Sequence, residues 1–231
     1  MSVTLTLSGN TSVLTTEYFP PLELNTDYVC GLIDFQTYNS IPNVDSRNNS
    51  FHIGNITLVI PEGSYEIDDI ADFIQTTLKM AKKPGRVMLS ANNNTLKSEI
   101  KSTETIHFDK PQSIGSLLGF SSQKLPPNIL HKSDLPVNII KVNLIRIECN
   151  IISGSYINGV QVHTLHEFSP AVGPGYKIIE VPTNVIYLPV NSRRISSLTV
   201  KFLDQDGDLI NFRGETITIR LHLKPQHAGV Q

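Results

Sequence analysis

The chain has 231 residues, a formal net charge of −2 and only 17% charged residues. That length admits one large β domain or two small ones, with a hydrophobic core that needs no staples. The charge balance excludes the basic stripe expected of a nucleic-acid-binding surface, so no direct nucleic-acid contact is expected.

In chain order the dominant signal is alternation of apolar and polar residues, the mark of half-buried strands. Val3, Leu5 and Leu7 begin it, and the Pro20-Pro21 pair punctuates it. Strands are predicted over 28–38 and 51–60. Ser64 then stands as a helix N-cap, and Ile67, Ile70, Ala71, Ile74, Leu78 and Ala81 recur at helical spacing. Glu66, Asp68 and Asp69 open this helix and Lys79, Lys82 and Lys83 close it, each complementing the helix dipole. Pro84-Gly85 is its stop, so the spacing predicts an amphipathic helix over 64–83. Further strands are predicted over 86–91, 96–101 and 105–108, with a turn at Asn92-Asn93-Asn94. A second, short helix is predicted over 113–118, ending at Gly119. The stretch 125–135 reads as a long loop.

Strands then follow over 137–152, 157–168, 176–181 and 185–190. Leu198, Val200 and Phe202 alternate up to an Asp204-Gln205-Asp206-Gly207 turn, a hairpin signal leading into Leu209, Ile210 and Phe212. Ile217, Ile219, Leu221 and Leu223 form the last alternating run. Many short strands with frequent turns make this an all-β sandwich or jelly roll rather than a βαβ fold. No linker or repeat interrupts the pattern, so one domain is expected over 1–224, with a flexible tail over 225–231.

Side chains that carry chemistry give little. His163, His166 and Glu167 have metal-ligand types, but strand positions three apart face opposite sides. Cupins, the jelly rolls that bind metal, place two histidines at alternate strand positions; here no His-x-His exists and His222 stands outside any such motif. Asp204, Asp206 and Asp208 lack the sharp-turn glycine of a calcium loop, since Leu209 occupies that position. Arg213-Gly214-Glu215 carries Glu where an integrin tripeptide has Asp. No nucleophile elbow or phosphate loop is present. Catalytic, cofactor-binding and metal residues are therefore expected to be absent, and the chain to be no enzyme. The aromatics Tyr28, Phe35, Tyr38, Phe51, Phe168, Tyr176 and Tyr187 read as core filling. Cys30 and Cys149 lie in apolar runs and read as buried, reduced thiols. Sequons at Asn10, Asn48, Asn55 and Asn93 follow from Asn-rich turns. Neither a signal peptide nor a membrane span of ~20 apolar residues is visible, which points to synthesis in the cytosol.

Four stretches together carry a resemblance. They are Phe35-Gln-Thr-Tyr-Asn-Ser-Ile-Pro-Asn-Val44, Ile60-Pro-Glu-Gly-Ser-Tyr-Glu-Ile-Asp-Asp-Ile70, Ser113-Ile-Gly-Ser-Leu-Leu-Gly-Phe120 and Leu203-Asp-Gln-Asp-Gly-Asp-Leu-Ile-Asn-Phe-Arg-Gly-Glu215. In this order they resemble the penton, or minor capsid, proteins of Polinton/Maverick elements and adintoviruses. The resemblance implies a single jelly roll forming homopentamers at the fivefold vertices of an icosahedral virion. Its partner would be the double jelly-roll major capsid protein, which needs far more than 231 residues. Assembly would take place in the host cytosol or nucleus. A lectin-like carbohydrate-binding sandwich and a cupin-like metalloenzyme stand as the alternatives, and no residue of an assembly interface is assigned.

Overall fold

Side chains of an extended chain alternate between two faces, so a run that buries every second residue becomes one wall of a sandwich. The computed structural model describes residues 2–82 and 85–226. They divide into two compact units, one of Met1–Ile41 with Val142–Gln231 and one of Pro42–Lys141.

The first unit starts with β1 (Val3–Gly9), β2 (Val13–Glu23) and β3 (Tyr28–Tyr38). The second contains β4 (Ser50–Ile53), β5 (Ile56–Val59), α1 (Ile67–Met80), β6 (Val87–Asn92), β7 (Lys97–Ser102) and β8 (Ile106–His107). A 3-10 turn (Ile114–Ser116), β9 (Lys124–Leu125) and β10 (Leu130–Lys132) complete it. The chain returns to the first unit with β11 (Ile145–Cys149), β12 (Ser155–Ile157), β13 (Val160–Val162) and β14 (Thr164–Phe168). It ends with β15 (Lys177–Glu180), β16 (Leu188–Pro189), β17 (Arg194–Leu203) and β18 (Ile217–Pro225).

In the first unit one sheet runs β1-β18-β3-β15, with β16 also on β3, and the other runs β14-β11-β17-β2. The antiparallel pairs nest, outermost strand with outermost: β1 with β18, β2 with β17, β3 with β15, β11 with β14. Two Greek keys wrapped in this way make a jelly roll, as the sequence pattern predicts. The inward rows Leu5, Leu7, Cys30, Leu32, Phe35, Ile217, Ile219 and Leu221 of one sheet meet Ile145, Ile147, Cys149, Leu198, Val200 and Phe202 of the other in a single core. Phe35 lies 5.2 Å from Phe202 and 5.4 Å from Phe168, centroid to centroid. Cys30 and Cys149 are free and buried. Burial pushes both thiols up, Cys149 to about 11.

Several expected strands are corrected. The 13–23 segment is a strand although Pro20-Pro21 reads as a break, because an edge strand tolerates residues without an N–H. The predicted strand 51–60 is a hairpin, β4 and β5, turning at Gly54-Asn55. The predicted strand 157–168 is likewise split: Asn158 and Gly159, at φ 50° and 82°, form the hairpin turn of β12 and β13. The expected loop 125–135 holds β10, which pairs with β7. The return segment after the Asp204 turn forms an isolated bridge, Leu203 with Leu209, in place of a strand: Ile210 N donates to Phe202 O at 3.1 Å, and the Ser12 and Ser40 hydroxyls donate to Ile210 O and Phe212 O. At the C-terminus β18 continues through Pro225, and Gln226 N donates to Asp27 O at 2.8 Å. The rest of the expected tail, 227–231, lies outside the described residues.

A strap crosses the outer face of the first sheet. Between β15 and β16 the chain passes Gly31, where an added Cβ would stand 2.5 Å from Val185 Cγ1 and 3.1 Å from Ile186 O. The Tyr187 hydroxyl and His222 Nδ1 are 2.9 Å apart, and Lys224 Nζ lies 3.6 Å from the Tyr187 ring centroid. Asp34, 2% exposed, pairs with Arg220 on the same face.

In the second unit, α1 packs on the β10-β7-β6 sheet, and the sheet β5-β4-β8-β9 supplies the rest of the core. Ile67, Ile70, Ile74 and Leu78 are the buried face of α1, as the spacing predicts. Its N-cap is Glu66 rather than Ser64: the Glu66 N–H donates to the Asp69 carboxylate at 2.9 Å. Lys83 and Pro84, the predicted end and stop, lie outside the described residues. The predicted second helix is a single 3-10 turn capped by the Ser113 hydroxyl, which accepts from Gly115 N at 3.2 Å. Gly119 ends it at φ 81°, where a Cβ would collide with Leu135 O at 2.2 Å.

The two ends of the insertion are tied to each other. Asn43 Nδ2 donates to Ile139 O at 3.1 Å, and Asp45 pairs with both Lys141 and Arg47. The Arg47 hydrogen bond, opposed by burial and aided by Lys141, holds the Asp45 carboxyl well below the usual carboxylate range.

Three outcomes are expected. Ile74→Asp puts an unpaired charge at a fully buried position and should cost more than about 4 kcal/mol, whereas Thr76→Ala on the exposed face should raise stability by about 0.5 kcal/mol. Equal thermal melts for the two would show that α1 is unpacked. Gly31→Ala should lower stability by about 1–3 kcal/mol through overpacking against the strap, and an unchanged melt would contradict that contact. A depressed folded pKa contributes stability above the unfolded value and loses it as pH falls through the folded one. Asp45→Asn should therefore cost about 1–3 kcal/mol near pH 7, with the gap narrowing below about pH 4. A gap that is constant with pH would contradict the ion pair.

Candidate functional site

A sandwich leaves strand edges whose N–H and C=O groups invite pairing, so its flanks are where a neighbour is met. In the jelly-roll unit the edges are β1 on one side of the first sheet and β15 with β16 on the other, and β2 and β14 of the second sheet. The edges β1 and β2 share a flank: Thr6, Ser8, Asn10, Thr11 and Thr15 line one open polar groove between them. On the opposite flank β14 and β15 are bridged by His166 Nε2 and Glu180 Oε1, 2.8 Å apart.

The first flank carries a knob. The register of β2 on β17 jumps from Glu17 opposite Ser197 to Leu22 opposite Ile195, so Tyr18–Pro21 bulge out opposite Ser196. At the crest of the bulge Phe19 is 100% exposed. Burying a ring of this size against a partner is worth about 2–3 kcal/mol. Glu17, two residues back on the same outward row, is also exposed. The second flank carries an apolar patch. Tyr38 stands opposite Lys177 in the register of β3 on β15. Ile179 is 57% exposed and Val181 62%, on the same outward row as Lys177. The Lys177 ammonium donates to Gln36 Oε1 at 2.9 Å. The outer faces also carry short polar cross-strand pairs such as Ser8–Thr218 and Thr15–Thr199, each 3.1 Å apart, and Tyr156, Val160, Ile186 and Leu209 are further exposed apolar groups of this unit.

The residues singled out for chemistry do not converge. A bulge at Leu165 does interrupt the register of β14 on β11. His163 Nδ1 nevertheless sits 2.7 Å from Ile152 O, His166 faces Glu180, and Glu167 accepts from Arg146 Nε at 2.6 Å. Asp204 Oδ1 accepts from the Asp206 and Asp208 amides, each at 2.9 Å, so this carboxylate organises the turn. His222 belongs to the strap contact. Among the described residues no group of three or more His, Cys, Asp or Glu is placed to hold a metal ion. Of the aromatics, Phe35 and Phe51 fill cores, but Tyr38 and Tyr176 are 48% and 70% exposed and correct the expectation of core filling. Phe19 carries no sequence expectation at all. The available signal was an aromatic next to Pro-Pro, where a strand cannot be interior.

No family model and no curated relative matches the chain. Among solved structures, the mavirus penton protein superposes with a TM-score of 0.52 and 11% identity, over 97% of this chain and 99% of that one. The D2-D3 domains of the flagellar cap protein from Escherichia coli reach a TM-score of only 0.19, at 11% identity over 89% of this chain and 100% of theirs. In its fold this chain is similar to the penton jelly roll.

Proposed function

We propose that the chain is a structural, non-enzymatic capsid subunit of the penton type, from a Maverick-like virus of the Polinton and adintovirus kind. The observation that carries the reading is the extent of the structural match, which spans 97% of this chain and 99% of the mavirus penton protein. So wide an overlap takes in both the jelly roll and its insertion, and the four sequence stretches from Phe35 to Glu215 add independent support. We take 1–224 as one capsid domain on this reading, the insertion included. Five copies form a ring at an icosahedral vertex, surrounded by the double jelly-roll major capsid protein. The protein is made in the host cytosol, assembles there or in the nucleus, and resides in the virion shell without direct contact to nucleic acid. Polar, sparsely charged outer faces suit this role, since packing them against neighbours desolvates few ions.

Light scattering across a concentration series tests the ring. Above a threshold concentration the mass should reach about five times the 25.6 kDa subunit. A stable dimer or trimer of defined mass, or a monomer throughout, would contradict it.

A further inference from the structure

We propose that the two flanks of the jelly roll are the two halves of one contact between copies of this chain, with Phe19 of one copy seated on the Tyr38, Ile179 and Val181 patch of the next. The proposal rests on the ring reading above and names the surface that closes it.

Three observations lead to it. The exposed apolar groups concerned lie on opposite edges of the sandwich, Phe19 on β2 and the patch on β15 with its neighbour β3. A knob on one flank and a seat on the other make a heterologous contact, which propagates head to tail and closes when the rotation per subunit fits a ring. An isologous dimer would need both on one self-complementary surface.

The charges are complementary as well. On β2 a carboxylate, Glu17, precedes the apolar Phe19 by two residues; on β15 a cation, Lys177, precedes the apolar Ile179 by two. Both pairs lie on outward rows. Setting ring against isoleucine brings Glu17 toward Lys177, at the rim where a charge pair guides register more than it adds affinity.

Strand addition does not compete at this place. Pro20 and Pro21 have no N–H to offer a neighbouring strand. The bulge also bends the edge away from a ladder. The contact is therefore made by side chains, with a fully exposed aromatic as its anchor.

The test uses the full chain and two surface variants. Phe19→Ser removes the knob and keeps the seat; Ile179→Ser spoils the seat and keeps the knob. Below the assembly threshold thermal melts should match the wild type, since both positions are exposed and no ring adds to the stability of either. Each variant alone should need more than roughly tenfold higher concentration to assemble. An equimolar mixture should stop at a one-to-one dimer, because only one intact knob and one intact seat remain. Charge reversal adds a second arm: Glu17→Lys and Lys177→Glu should each weaken assembly, and the double variant should recover it. A wild type that assembles while both serine variants assemble equally well overturns the contact and leaves the ring standing. Weakening by Phe19→Ser without the mixed dimer or the charge rescue overturns the seat on β15. A wild type that is monomeric at every concentration overturns both the contact and the ring.

Discussion

Val3 lies opposite Leu223, and the pairing of β1 with β18 between them joins the two ends of the chain. The other pairs nest inside it, down to β11 with β14, so a ribbon folded over on itself becomes two facing sheets. Because the outermost pair is the longest-range, its register is set by burial rather than by any turn. With β18 held by β3, a slip of β1 by one residue would turn Leu5 and Leu7 out of the core. The insertion between β3 and β11 adds to the loop that must be closed, at an entropy cost that grows only slowly with length. That tolerance lets a jelly roll carry a second compact unit in the middle of its strand order.

What the sequence made legible follows the strength of its alternation. β3, β17 and β18 lie at interior positions of their sheets and bury every inward side chain, so their pattern is complete. α1 was legible for a parallel reason, because one face of four aliphatic residues meets a core. β2 was hidden because an edge strand keeps only part of its pattern and accepts prolines. The hairpin turns at Gly54-Asn55 and Asn158-Gly159 lay inside runs whose apolar content looked continuous. The boundary between the units was invisible for a sharper reason. Val137 and Ile139 pack against the core of the insertion, whereas Val142, Ile145 and Ile147 belong to the core of the jelly roll. One apolar run thus serves two cores in succession, and composition does not distinguish them.

The surface was less legible than the core, since exposure is a property of the fold rather than of residue type. His163 and His166 drew notice by chemistry and turned out to bond separately, one to a carbonyl and one to Glu180 across the sandwich edge. Phe19 drew none, yet no large apolar side chain among the described residues is more exposed. On the proposed capsid reading the informative groups are such apolar exposures, because an assembly surface requires complementary area and needs no reactive atom. The few charges, concentrated in pairs such as Arg146–Glu167 and Asp34–Arg220, leave the flanks free to desolvate at low cost.

Electron microscopy of the largest assembled species, averaged without imposed symmetry, tests the proposed ring most directly. Five-lobed averages with fivefold rotational symmetry are expected. Two- or threefold averages, open filaments, or isolated subunits alone would contradict it.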